Sequence, residues 1–134
     1  MNWSEEEYQA YINKESVKQK KNKYGVASKE DRTAEGITFA SKAEKDRYLV
    51  LKDMEKCKEI KNLVLQPKFV LQEKFKKDGQ TYNSIEYKAD FAYFDVSSGI
   101  EIIEDVKGMK TQVYKLKKKL LLKKYPDINF REVS

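Results

Sequence analysis

Two short apolar runs, Phe91-Ala92-Tyr93-Phe94 and Ile100 to Val106, lie either side of Ser97-Ser98-Gly99. Only 40% of the 134 residues are hydrophobic, so the core must be built around that reversal. Each run is too short for a helix and rich in β-branched or aromatic residues, which makes them neighbouring antiparallel strands. Upstream, Asp78-Gly79 is a hairpin turn that pairs strands near 68–76 and 80–95. The reading is a three-stranded antiparallel meander, with strand three running from Ile100 to about Val106.

Helices flank the meander. Ser41-Lys42-Ala43-Glu44 has the pattern of a capping box, and a helix follows over 42–58, with Ala43, Tyr48, Val50, Leu51, Met54 and Cys57 as its packing stripe. After Gly108 a second helix runs from about Thr111 to Lys124, capped by Thr111, with Val113, Leu116 and Leu120 spaced for packing. Tyr125-Pro126-Asp127 stops it, and residues 128–133 form a last strand that joins the sheet in parallel through its crossover helix. The fold class is α/β: helix, three strands, helix, strand.

Residues 1–12 read as an N-terminal helix anchored by Trp3, Tyr8, Tyr11 and Ile12. Residues 14–24 hold five lysines against one glutamate and read as a basic connector. The chain divides accordingly into an extension over 1–35 and a domain over 36–134. No charged segment followed by an apolar one points to secretion, and no apolar run spans a membrane. Cys57 is alone, so no internal disulfide forms; it reads as core filler in a reduced, cytoplasmic protein.

The chain has no histidine, which excludes Ser/His/Asp and Cys/His catalysis and His-ligated metal. Carboxylates and lysines remain, and they gather at YKADFAYFD and IEIIEDVKG. Side chains alternate along a strand, so Asp105 shares a face with Lys107 while Glu104 points to the other. With the two strands paired, Asp90 and Asp105 come within reach of one cation. A hard divalent ion takes such oxygen ligands, neutralises charge on a phosphate and makes its bound water more acidic. Lys107 is placed to position that water or balance the phosphate.

Eight lysines and no acid lie between Lys107 and Lys124, and the formal charge is +6. Phosphates are the natural partner of such a surface. Only Arg32, Arg47 and Arg131 are arginine, so contact by point charges is favoured over bidentate reading of bases.

The element order, with Asp90, fourteen residues, then Asp105-Val106-Lys107, resembles the PD-(D/E)XK nuclease superfamily. GITFASKAEKDRY, LVLQPKFVLQ, YKADFAYF and EDVKGMKTQVYKLKKKLLLKKYPDINFREV resemble a small phage-type family of mainly uncharacterised nucleases or junction resolvases. The likeness covers about residues 23–133, with Ala89 where the superfamily motif has proline. It implies a restriction-endonuclease-like core and a Mg2+-dependent endodeoxyribonuclease, with Mn2+ as a substitute. Asp90 and Asp105 would be catalytic metal ligands, Lys107 would assist the water, and Glu44 would be either an auxiliary ligand or only the capping-box residue. Lys110, Thr111, Lys115, Lys118 and Lys119, with Lys20 and Lys21 of the connector, would grip DNA. The implied substrate is branched DNA, such as a Holliday junction in phage recombination or replication, cut by a homodimer in the bacterial host cytosol. The alternative is a nucleic-acid-binding protein with a nuclease-like fold and no catalysis.

Overall fold

The computed structural model describes residues 27–134, which fall into two compact units divided between Leu49 and Val50. The expected helix over 1–12 and the connector with Lys20 and Lys21 lie outside the described residues. The division falls within a helix, whereas the sequence reading divides the chain after residue 35.

In the first unit, β1 (Thr33–Ala34) pairs antiparallel with β2 (Ile37–Thr38). The turn between them places both Glu35 and Gly36 at positive φ. Helix α1 (Lys42–Lys56) begins at Ser41, whose Oγ accepts the Glu44 N–H at 3.1 Å. Phe39 lies against Tyr48, ring centroids 5.0 Å apart, and the Tyr48 hydroxyl donates to Glu35 Oε2 at 2.6 Å. The buried residues of α1 are Glu44, Tyr48 and Leu51, at spacings of four and three. Ala43, Val50 and Cys57 of the expected stripe are exposed, so Cys57 is not core filler.

The second unit is mixed α/β. Its four-stranded sheet has the order β10-β9-β8-β3, formed by β3 (Ile60–Leu65), β8 (Phe91–Asp95), β9 (Ile100–Val106) and β10 (Asn129–Val133). Strands β8 and β9 are antiparallel around the Ser97-Ser98-Gly99 turn, and Gly99 takes the left-handed conformation that the reversal needs. Strand β10 joins β9 in parallel after crossing through α2 (Gln112–Lys124).

The meander differs from expectation in its first strand. The partner of β8 is β3, in a segment to which the sequence assigns no strand. Strands 68–76 and 80–95 do pair, but in separate lengths of one long hairpin. Its root is β3 with β8, its shaft is β4 (Lys68–Gln72) with β7 (Ile85–Lys88), and its tip is β5 (Phe75–Lys77) with β6 (Gln80–Tyr82). Between root and shaft the arms stay joined: Gln66 N–H donates to Asp90 O at 2.9 Å and Ala89 N–H to Pro67 O at 3.0 Å. Pro67 lacks an N–H and Gln66 has positive φ, so the pairing bends there and leaves the sheet. The tip turn places Asp78 and Gly79 at positive φ, as a two-residue hairpin requires.

The outgoing arm carries two extra residues. Lys61 faces Phe94 but Val64 faces Ala92, with Asn62 at positive φ between them; Val70 faces Glu86 but Gln72 faces Ile85. Each is a β-bulge that puts one residue more on the arm running from β3 to β5.

Tyr87, Ala89, Ala92, Ile103 and Leu121 form a core cluster on one face of the second unit, with Phe69, Tyr114, Tyr125 and Phe130 packed around it. The buried side of α2 is therefore Tyr114, Leu121 and, just beyond the helix, Tyr125. Val113 is 62% exposed, Leu116 58% and Leu120 41%, so the stripe expected to pack does not. Choosing the aromatics instead lets Tyr114 and Tyr125 fill the wide space between helix, shaft and β10, which leucines would leave partly empty. Replacing Leu121 by Ala should cost about 2–5 kcal/mol in urea denaturation, whereas Leu116→Ala should stay within about 0.5 kcal/mol. Equal losses would place the helix face wrongly.

Candidate active site

Chain path brings the acids together at the point where the shaft leaves the sheet. The Asp90 N–H donates to Glu104 O at 3.1 Å although Phe91 is the residue registered with Glu104, so Asp90 is an extra residue at the end of β8. Its own carboxylate takes over as partner of the uncovered neighbour: the Val106 N–H donates to Asp90 Oδ2 at 2.7 Å. Asp90 is thus fixed by its backbone to Gln66, just past β3, and to β9, and by its side chain to the end of β9.

Asp105 lies one residue back on β9, on the face of Ile103 and the core cluster, and its side chain is fully buried. Both of its carboxylate oxygens lack a donor in hydrogen-bond geometry. Lys107 Nζ stands 3.6 Å from Oδ1, and the same ammonium sits 4.7 Å above the Tyr114 ring. The aromatic face steadies the cation beside the carboxylate without taking its hydrogen bonds. The Lys107 N–H, donating to Val133 O at 2.9 Å, ties its backbone to the end of β10. Burial raises the Asp105 carboxyl to about 6, opposed by the Lys107 ammonium and the Asp90 N–H and assisted by the negative charge of Glu132.

Glu132, which the sequence reading did not single out, is registered with Asp105 across the parallel β9–β10 pair. It accepts ion pairs from Lys110 (2.9 Å) and Lys118, and these hold its carboxyl below the usual range. Tyr114 feels all three acids: burial first, then Glu132, Asp105 and Asp90, push its hydroxyl upward. Parallel pairing sets residues of equal level side by side, and the position of Glu132 could have been found from the register of the crossover strand. Glu104 lies on the opposite face and accepts from the Tyr93 hydroxyl. Glu44 belongs to the first unit, where its N–H completes the backbone half of the cap and its side chain is buried.

Beside the acids runs a groove of about 610 Å³ between the returning arm of the shaft and the start of α2. Lys88, Lys107 and Lys117 line it with Thr111, Tyr87 and Tyr114, and Glu86 is its single acid. Thr111 caps α2, its Oγ1 accepting the Tyr114 N–H at 3.1 Å. Of the lysines expected to grip phosphate, Lys110 and Lys118 are engaged by Glu132, while Lys115 and Lys119 are exposed on α2 and do not line the groove. Lys88 and Lys117 do line it. Lys88 was hidden from the sequence reading because it sits on the far arm of the hairpin.

Among the described residues no group of three or more Asp, Glu, His or Cys side chains gathers around a metal-sized point. The pair Asp90 and Asp105 is nonetheless a donor set suited to a hard divalent cation: oxygen only, with two buried oxygens lacking partners. Among the same residues no helix is long and apolar enough to cross a membrane.

A family model described as a protein of unknown function (DUF1064) matches residues 11–134. No curated protein and no solved structure matches the chain.

A carboxyl raised from 3.8 to about 6 opposes folding wherever it must ionise inside the fold. That penalty is absent below pH 3.8, grows between 3.8 and 6, and is complete above 6. Asp105→Asn, measured without divalent ions, should therefore be more stable than the parent at pH 7 by about 1–3 kcal/mol, with the difference closing toward pH 4. A variant less stable at both pH values would mean that Asp105 is a structural acid.

Proposed function

The chain belongs to the DUF1064 family, and we propose that it is a metal-dependent endonuclease that hydrolyses DNA phosphodiester bonds. The observation that carries this reading is the Asp105 carboxylate: buried, without a donor on either oxygen, and 3.6 Å from Lys107, which lines a groove together with Lys88 and Lys117. Burying a carboxylate in this way opposes folding by about 1–3 kcal/mol, and neither of its oxygens gains a hydrogen bond in return. Such costs concentrate where charge is used.

Asp105 and Asp90 would hold a divalent cation, Mg2+ or Mn2+, which when bound supplies charge neutralisation at the phosphate and a more acidic water. The chain's own groups supply the rest. Lys107, fixed over Tyr114, presents an ammonium where a phosphate oxygen or attacking water would lie. Lys88, Lys117 and the Thr111 hydroxyl line the path of a phosphate backbone leading to it.

The restriction-endonuclease-like core belongs to the same proposal. It is supported by the sequence of β8, β9, α2 and a parallel β10, with the two acids at the open end of β8 and β9. Branched DNA is the proposed substrate, since point charges that follow backbone shape suit it better than base reading. A two-fold homodimer would match the symmetry of a junction.

The test is cleavage of labelled junction, flap, duplex and single-stranded DNA with Mg2+ or Mn2+, in parallel with Asp105→Asn. Cleavage by the parent and none by the variant, at equal DNA affinity, is expected; binding without cleavage by both would leave a non-catalytic binding protein. Lys88→Ala and Lys117→Ala should each weaken binding to all DNA forms alike and lower the salt slope by about 1. Unchanged affinity in both would remove the groove from the interface.

A further inference from the structure

Beyond the groove, the hairpin tip carries an arrangement that the proposed chemistry leaves unused. All six residues of β5 and β6 are exposed. Phe75 and Tyr82 face each other across the tip with their rings stacked, 4.8 Å between centroids and 11° between planes, yet they are 43% and 46% exposed. A cross-strand aromatic pair stabilises a hairpin, but a pair buried only against itself leaves its outer surfaces in water. The tip extends about 20 Å beyond the last pair of the shaft, at the rise of a β-strand.

Charge and position point to one kind of occupant. Lys77 alternates with Phe75 and faces Gln80, so the strand positions that share the aromatic face hold a cation and no acid. Lys74 and Lys76 add positive charge at the same level of the hairpin, against Glu73 and Asp78. Both bulges of the hairpin lie on the outgoing arm, and between Tyr82 and Lys88 the returning arm has no extra residue. On that arm Tyr82, Ser84, Glu86 and Lys88 occupy alternate positions, and the last three line the groove. Tyr82 lies two residues beyond Ser84, the outermost groove residue of that arm.

We propose that Phe75 and Tyr82 form a base-stacking platform that receives a nucleobase left unstacked at a branch point in DNA. The inference rests on the nuclease reading of the groove and adds what would distinguish branched DNA from duplex. An aromatic face accepts any base, so the platform selects for an available base and not for a sequence. Lysines at the tip meet the phosphates on either side of that base.

The experiment measures binding in EDTA to a four-way junction and to a duplex of the same length, each carrying 2-aminopurine, at the branch point in the junction and mid-helix in the duplex. Phe75→Val and Tyr82→Val keep strand-forming side chains while removing the rings, and Tyr82→Trp restores one. The full-length parent should bind the junction with a change in 2-aminopurine fluorescence. Each Val variant should lose roughly ten-fold in junction affinity together with that change, leave duplex affinity unaltered, and recover with Trp. Equal losses on junction and duplex would make the pair a structural clasp and overturn the platform. Unchanged junction affinity would overturn it too. A parent that binds neither DNA would defeat the nuclease reading itself, and the platform with it.

Discussion

A carboxylate enclosed by a sheet and given no hydrogen-bond donor sets the terms for everything around β9. The sheet can hold Asp105 because β9 is flanked on both sides, by β8 and by the parallel β10, and because the residues of the Asp105 face above it are packed against α2. A strand with a loose neighbour would open and let water relieve the charge. The neighbouring groups moderate the cost without removing it: Lys107 is near enough to attract, and the Asp90 carboxylate is occupied by the Val106 N–H. Preorganised acids of this kind are what a hard cation finds favourable, since the desolvation has been met during folding.

Lysine is used here in two ways that its abundance conceals. Some of the cations complete the fold: Lys124 donates to Val70 O at 2.7 Å, binding α2 to the shaft, and Lys110 and Lys118 neutralise Glu132. Others, Lys88 and Lys117, come from elements far apart in sequence and face one groove. The positive potential at the site is thus a product of the crossover and the hairpin meeting, more than of the run in α2.

How much of this was legible in the sequence follows from the range of each signal. The Asp78-Gly79 turn, the Ser97-Ser98-Gly99 reversal and the alternation that sets Asp105 beside Lys107 are local, and they appear where the residues place them. Strand β3 was missed because the bulge between Lys61 and Val64 interrupts its alternation and its apolar residues sit beside Pro67, which reads as a break. The buried face of α2 was misassigned because leucines and valine satisfy a periodicity as well as tyrosines do. Only the space between α2, the shaft and β10 decides for Tyr114 and Tyr125, and that space is a tertiary property. Lys88 was invisible for the same reason, since register across a bulged hairpin cannot be counted along the chain, whereas Glu132 needed only the register of the parallel crossover strand.

The placement of both bulges on one arm gives the hairpin a property of its own. Every extra residue turns the following side chains of the outgoing arm to the opposite face, while the returning arm has none against its hairpin partner and shifts phase at Asp90, the extra residue opposite β9. The two arms are in this sense geared differently. Insertions and deletions on the outgoing arm can retune which of its residues face out, lengthen the reach of the tip or bend the ribbon. Throughout, Ser84, Glu86 and Lys88 of the returning arm keep their order along the groove, so the variable half of the hairpin can change without disturbing the half that meets the site.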